Sequence, residues 1–155
     1  QFNKGVYMNA QASGDCYLTT TQSNKTGNGT AYTVGASSSL TTPTNQGSVW
    51  SSSGVFTSPR SGRFSIGASV TLTGFTLTGC ICKLRAVISD GNSYESVLTN
   101  PTSGDITISL SFIRQITGGS TVSFTVTVTG EVGDTVDIAG GTAPFKTWLF
   151  STQVS

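Results

Sequence analysis

The chain reads as an all-β protein, an antiparallel sandwich or barrel with no significant helix, on three observations. Apolar and polar residues alternate over long runs, turn-forming residues separate those runs at short intervals, and helix-favouring residues are scarce. In the first run Phe64, Ile66, Ala68, Val70 and Leu72 alternate with Ser65, Gly67, Ser69 and Thr71. In the second, Ile106, Ile108, Leu110 and Phe112 alternate with Thr107, Ser109 and Ser111; in the third, Val122, Phe124, Val126 and Val128 alternate with Ser123, Thr125 and Thr127. Successive side chains of a strand point to opposite faces, so each run is expected to bury one face and wet the other. The expected core is therefore Phe64, Ile66, Val70, Leu84, Ile108, Leu110, Phe124, Val126 and Val128.

A fourth run, Cys80 to Ile88, places Cys80, Cys82, Leu84, Ala86 and Ile88 on one face. Its other face mixes Ile81, Lys83, Arg85 and Val87, which reads as a strand covered on both sides, as a central or interface strand would be. Weaker strands fit Ala31–Ala36, Val55–Ser58, Tyr94–Leu98, Thr135–Ile138 and Thr147–Val154, for about nine in all. Ser89-Asp90-Gly91-Asn92, the stretch Thr99–Gly104 and Thr117-Gly118-Gly119-Ser120 are the turns between them, because Gly, Asn and Asp accept the positive φ that tight turns need. Thr21–Thr30 and Ser37–Ser48, rich in Ser, Thr, Asn and Gly, read as long surface loops. Residues 1–155 are thus expected to form a single domain, with residues 1–48 looser and 49–155 the core of the sandwich.

Composition narrows the function. A length of 155 residues suits one domain with a sizeable core. Only 10% of residues are charged and roughly a third are Ser or Thr, a sheet-forming rather than helix-forming texture. A net charge of +1 argues against electrostatic capture of nucleic acid or of an anionic membrane. The absence of an 18-residue apolar run argues against a spanning helix. The start at Gln1, with neither a methionine nor a signal-peptide pattern, is what a processed product or an excised domain would show.

Catalysis is poorly provided for. Without histidine there is no Ser-His-Asp or Cys-His system, and the commonest transition-metal ligand is missing. Asp134 and Asp137, at the start of a strand, tend to opposite faces and do not suit an acid–base pair. A calcium site at Asp134 or Asp90 is conceivable on chemistry alone, against the plainer role of Asp90, Asp105 and Asp134 as turn residues. No catalytic residue, cofactor or metal site is expected. Cys16, Cys80 and Cys82 read as three buried free thiols, with a disulfide from Cys16 to one of the pair as the alternative. Arg60 and Arg63 flank a turn and could grip a carboxylate or phosphate, or simply be solvated. Asn24-Lys25-Thr26 and Asn28-Gly29-Thr30 match the N-glycosylation acceptor pattern and support a surface loop there.

A resemblance emerges from the order of short motifs. Gly54-Val55-Phe56-Thr57-Ser58-Pro59 followed by Ser61-Gly62-Arg63-Phe64-Ser65-Ile66 resembles the "G-x-F-x-x-P, x-G-x-Y-x-F" approach to the second strand of the C1q/TNF-like jelly-roll superfamily. Trp50 stands where that superfamily often has an aromatic, Gly133-Asp134-Thr135-Val136 is similar to its "G-D-x-V" turn, and Lys146–Phe150 to its final apolar strand. The likeness spans residues 45–155. Departures are the extra or extended strand within Gly104–Gly119 and the lack of an "F-S-G-F" form at Thr147–Ser151. The hydroxyl-rich, weakly charged texture is more like viral or phage fibre and spike heads. Membership implies an antiparallel jelly-roll sandwich, a compact homotrimer and a ligand-binding exterior.

The C-terminal aromatics bear on that assembly. Phe145, Trp148 and Phe150 lie within six residues, and the strand has Trp148, Phe150 and Val154 on one face and Leu149 on the other. Aromatics fill cores, but they are also enriched where subunits meet, so Phe145, Trp148, Leu149 and Phe150 are the expected subunit interface. A long N-terminal loop folded over the strand is the alternative cover. The reading is a trimeric receptor-binding head on a virion surface or otherwise extracellular, attaching to a cell-surface glycan or protein. A capsid or decoration jelly roll and a secreted C1q/TNF-like ligand domain are the rivals.

Overall fold

The computed structural model describes residues 11–37, 40–100, 102–141 and 146–154. They form twelve strands: β1 (Ser13–Leu18), β2 (Gln22–Thr26), β3 (Ala31–Thr33), β4 (Leu40–Gln46), β5 (Val55–Thr57), β6 (Gly62–Thr73), β7 (Cys80–Ile88), β8 (Ser93–Asn100), β9 (Ile106–Ile116), β10 (Thr121–Thr129), β11 (Val136–Ile138) and β12 (Trp148–Val154). The described residues contain no helix.

Two antiparallel sheets stack face to face. β6 is the hub of a seven-stranded sheet, carrying β9 along one edge and β12 and β11 end to end along the other. From β12 this sheet continues through β1 to β4, and from β11 to β2. The five-stranded sheet runs β3-β10-β7-β8, with β5 also paired to β10. This is a jelly-roll sandwich.

Alternation explains the core. Val122, Phe124, Val126 and Val128 of β10 are all 0% exposed, facing Phe64, Ile66, Val70 and Leu72 of β6 at the same value. Burying each such side chain contributes about 1.5–3 kcal/mol. Phe56 bridges the two aromatic neighbours Trp50 and Phe64 edge-to-face, with centroids 5.7 and 5.4 Å away. The buried Trp50 indole N–H donates to the Gly14 carbonyl and the Ser151 hydroxyl at 3.2 and 3.0 Å, so the ring brings no unsatisfied donor inside.

Of the nine expected core residues, eight are buried and Leu110, on the edge strand β9, is half-buried. The larger corrections lie in the first fifty residues. The expected loops 21–30 and 37–48 contain β2 and β4, and β1 precedes them. β2 and β4 are edge strands whose exposed faces need no apolar residues; of β4 only Leu40 is buried, and an edge admits Pro43. β7 is internal to its sheet, as expected, but the described residues supply no cover for its outer face: Ile81 and Val87 are 48% and 37% exposed.

Candidate interaction surfaces

Both sheets present an outward face, and the seven-stranded one carries the aromatic residues singled out above. On β12, Trp148 is 40% exposed and Phe150 half-buried, their ring centroids 5.1 Å apart. Opposite them on β1 stand Tyr17 and Asp15. On the other flank, β6 and β9 contribute small residues: Ser69 faces Trp148 and Ser109, and Gly67 faces Phe150 and Ser111. The result is an aromatic ridge beside a shallow hollow of about 340 Å³, with Ser69 and Ser109 hydroxyls bonded across it at 3.0 Å. Gly67 is obligatory there, since a Cβ would stand 2.4 Å from the Phe150 ring and 2.9 Å from the Leu110 carbonyl.

Leu149 departs from the interface expectation. It is 0% exposed and paired with Cys16 on the inward side, so it belongs to the core of the sandwich and not to the outer surface. Phe145 lies outside the described residues. The expected loop cover falls on residues that instead form β2 and β4, and β4 pairs edge-on with β1.

One pole of the sandwich is organised by a buried carboxylate. Glu131, 7% exposed, accepts the N–H groups of Thr76 and Leu77 at 2.8 and 2.9 Å, the Thr76 hydroxyl, the Thr135 hydroxyl at 3.4 Å and the Cys80 thiol at 3.6 Å. Burial alone would raise its pKa. The hydrogen bonds from Thr76, Leu77 and Cys80 outweigh it and bring the carboxyl down to about 2. The Glu131 N–H also donates to Gly27, tying the β2–β3 turn to the same cluster. Gly27 adopts φ +155°, and a Cβ there would meet the Gly133 carbonyl at 2.1 Å.

The remaining candidates have structural partners. Arg60 donates to Gln153 at 3.0 and 2.6 Å, while Arg63 is exposed on β6. Asp137 and Asp134 accept the backbone N–H groups of Asn24 and Asn28 at 2.7 and 3.4 Å. Asp90 caps its turn through the Asn92 N–H at 3.0 Å and pairs with Arg114 at 2.8 Å. Its carboxyl is held below the ordinary range, foremost by the Asn92 bond. Among the described residues no three His, Cys, Asp or Glu side chains converge as a metal site. Cys16, Cys80 and Cys82 are free and buried. Desolvation, reinforced by Asp15, pushes Cys16 up to about 12, and desolvation with Cys80 nearby pushes Cys82 up to about 11. Of the two acceptor triplets, Asn24 lies within β2 with Thr26 buried beneath it. Asn28 lies in the β2–β3 turn and accepts the Thr30 hydroxyl at 3.0 Å.

No protein-family model matches the sequence, and no curated protein is significantly similar to it. Solved structures are similar in fold. The globular domain of zebrafish complement 1qA protein superposes with a TM-score of 0.61 at 10% identity, covering 93% of this chain and 98% of that one. Murine APRIL gives 0.63 at 9% identity, covering 93% and 99%. Eiger TNF from S. frugiperda gives 0.62 at 10% identity, covering 94% and 93%. The sandwich is therefore a C1q/TNF-like jelly roll, as the motif order implied, over nearly the whole chain.

Proposed function

We propose that this chain is the trimeric receptor-binding head of a viral or phage fibre or spike, attaching to a cell-surface glycan or protein. The ridge of Trp148 and Phe150 carries the reading. A sheet with one face on its core needs no large apolar groups on the other, and an exposed aromatic pair left uncovered invites aggregation. A neighbouring copy that covers the ridge with a different patch of its own makes a heterologous contact, which generates a closed ring, such as a trimer, when the rotation closes. An apolar counterpart is available at the edge strand β8, where Leu98 is 41% exposed. The weakly charged, hydroxyl-rich composition supports a fibre or spike head. The likeness to complement 1qA, APRIL and Eiger favours a second reading, a secreted ligand domain of the same assembly.

Light scattering tests the assembly. The wild-type chain is expected to be trimeric at micromolar concentration and Trp148→Glu to give folded monomers; a monomeric wild type overturns the trimer. A glycan array and a cell-binding assay test attachment, and failure to bind any glycan or cell surface overturns it.

A further inference from the structure

We propose that the outward face of the five-stranded sheet holds a groove for an anionic saccharide, one bearing a carboxylate or a sulfate. The proposal rests on the attachment reading and deepens it, since this face stays open when the seven-stranded sheet faces its neighbours. The groove, of about 350 Å³, lies across β10, β7 and β8 and is capped at one end by Ala31 of β3. That volume is at the lower end of ligand sites, about 300–1,000 Å³.

Its chemistry selects the occupant. In a chain with only 10% charged residues, three of them meet here. Lys83 and Arg85 lie two apart on β7 and share a face, and Glu95 of β8 is the Cα partner of Arg85. Glu95 reaches Lys83 at 3.6 Å and Arg85 at 3.5 Å, so one carboxylate is shared between two cations and the groove keeps a single positive charge. Both cationic side chains are close to half exposed, at 44% and 48%, and an ammonium has three donors to distribute. β10 adds Thr125, Thr127 and Thr129 at alternate positions, a line of hydroxyls facing the same space. Ile81, 48% exposed, supplies an apolar surface for the C–H face of a sugar ring.

An anion for Lys83 and Arg85, hydroxyls for the threonines and a small apolar face for Ile81 are together the surface of an acidic sugar. A protein partner would call for an aromatic anchor at the centre, and the lining has none. A nucleic acid would call for a stripe of cations, where this groove has two and a carboxylate between them.

Calorimetry with the assembled wild-type protein and three probes tests this: a sulfated heparin disaccharide, the carboxylated sialyllactose, and neutral lactose. Binding of either anionic probe without lactose is expected, and which one binds names the anion. Lys83→Gln with Arg85→Gln should weaken binding at least about tenfold, the scale of a lost charged hydrogen bond. Glu95→Gln should tighten it severalfold by removing the competing carboxylate. All three positions are on the surface, so light scattering should show the wild-type mass. No anionic binding at millimolar probe, equal binding of lactose, or unchanged binding in the double variant overturns the groove. Undiminished attachment of that variant to cells also overturns it, while leaving the head-domain reading standing.

Discussion

The two outward faces of the sandwich lie over the same kind of inner face and are chemically unlike. Beneath both, alternate residues are buried aliphatics and aromatics: Phe64, Ile66 and Val70 under one, Leu84, Phe124 and Val126 under the other. Above them, β6, β9 and β12 present glycine, serine, tryptophan, phenylalanine and Ile113, whereas β7, β8 and β10 present Lys83, Arg85, Glu95 and a line of threonines among the exposed aliphatics Ile81, Val87 and Val97. A core constrains only every second position, so the other half of each strand is free to carry function. One face carries an aromatic ridge beside a hollow, and the other carries a charged cluster beside a row of hydroxyls.

The largest test is of the shared inner face. Phe124→Ala should cost about 3–5 kcal/mol in denaturant unfolding, through lost transfer energy and the cavity left behind. A loss below about 1 kcal/mol would mean that Phe124 is not packed between the sheets, and the common basis for comparing their outer faces would go with it.

A smaller effect is expected where the loops join the two sheets. Glu131→Ala strands the N–H groups of Thr76 and Leu77 and should cost about 1–3 kcal/mol. The carboxyl falls from an ordinary 4.5 to about 2 in the fold. Its ionised form therefore contributes stability that is fully present above about pH 4.5 and is lost as the pH falls toward about 2. Glu131→Gln should flatten acid unfolding across that window. An unchanged acid profile would show that this pole is held together without the charge.

The smallest effect sharpens the contrast within one strand. Cys82 and Lys83 are neighbours on β7 that face opposite ways. With Cys16 and Cys82 raised to about 12 and 11 and Cys80 raised too, the thiols should resist a disulfide reagent at pH 8 until the protein is unfolded. Lys83 should take an amine reagent in the native state. Native labelling of Cys82 would put β7 in the wrong register.

The same alternation governs what was legible in the sequence. β6, β7, β9 and β10 could be read because a central or long strand must show its buried half. β1 hides its pattern: its buried positions are Gly14, Cys16 and Leu18, and Gly14 is there because a Cβ would come within 2.9 Å of Trp50 and Val49. β2 ends in a buried Thr26 whose hydroxyl bonds the Thr30 carbonyl and the Val128 N–H at 2.6 and 2.8 Å, so a polar letter stands where an apolar one would signal a strand. On the outward faces, Trp148 and Phe150 stood out by their size. The hollow beside them and the Lys83–Glu95–Arg85 group depend on cross-strand register, which no single segment reveals. Leu149 was misplaced because an apolar residue between two aromatics looks like surplus until its core neighbours are known.

The pairing of β1 with β12 has a consequence for how the domain is presented. Ser13 is the Cα partner of Thr152, so the described chain enters and leaves the sandwich at the same pole, beside Arg60 and Gln153. Anything attached at either end holds the domain by that pole. β6, twelve residues long, then places the opposite pole roughly 36 Å away at about 3.3 Å per residue. That distal pole carries the loops pinned by Glu131, with Val132 91% exposed at its tip, and the end of the proposed groove formed by Ile81 and Thr129 opens toward it. A tether at the near pole therefore leaves those loops and that end of the groove on the side away from the attachment.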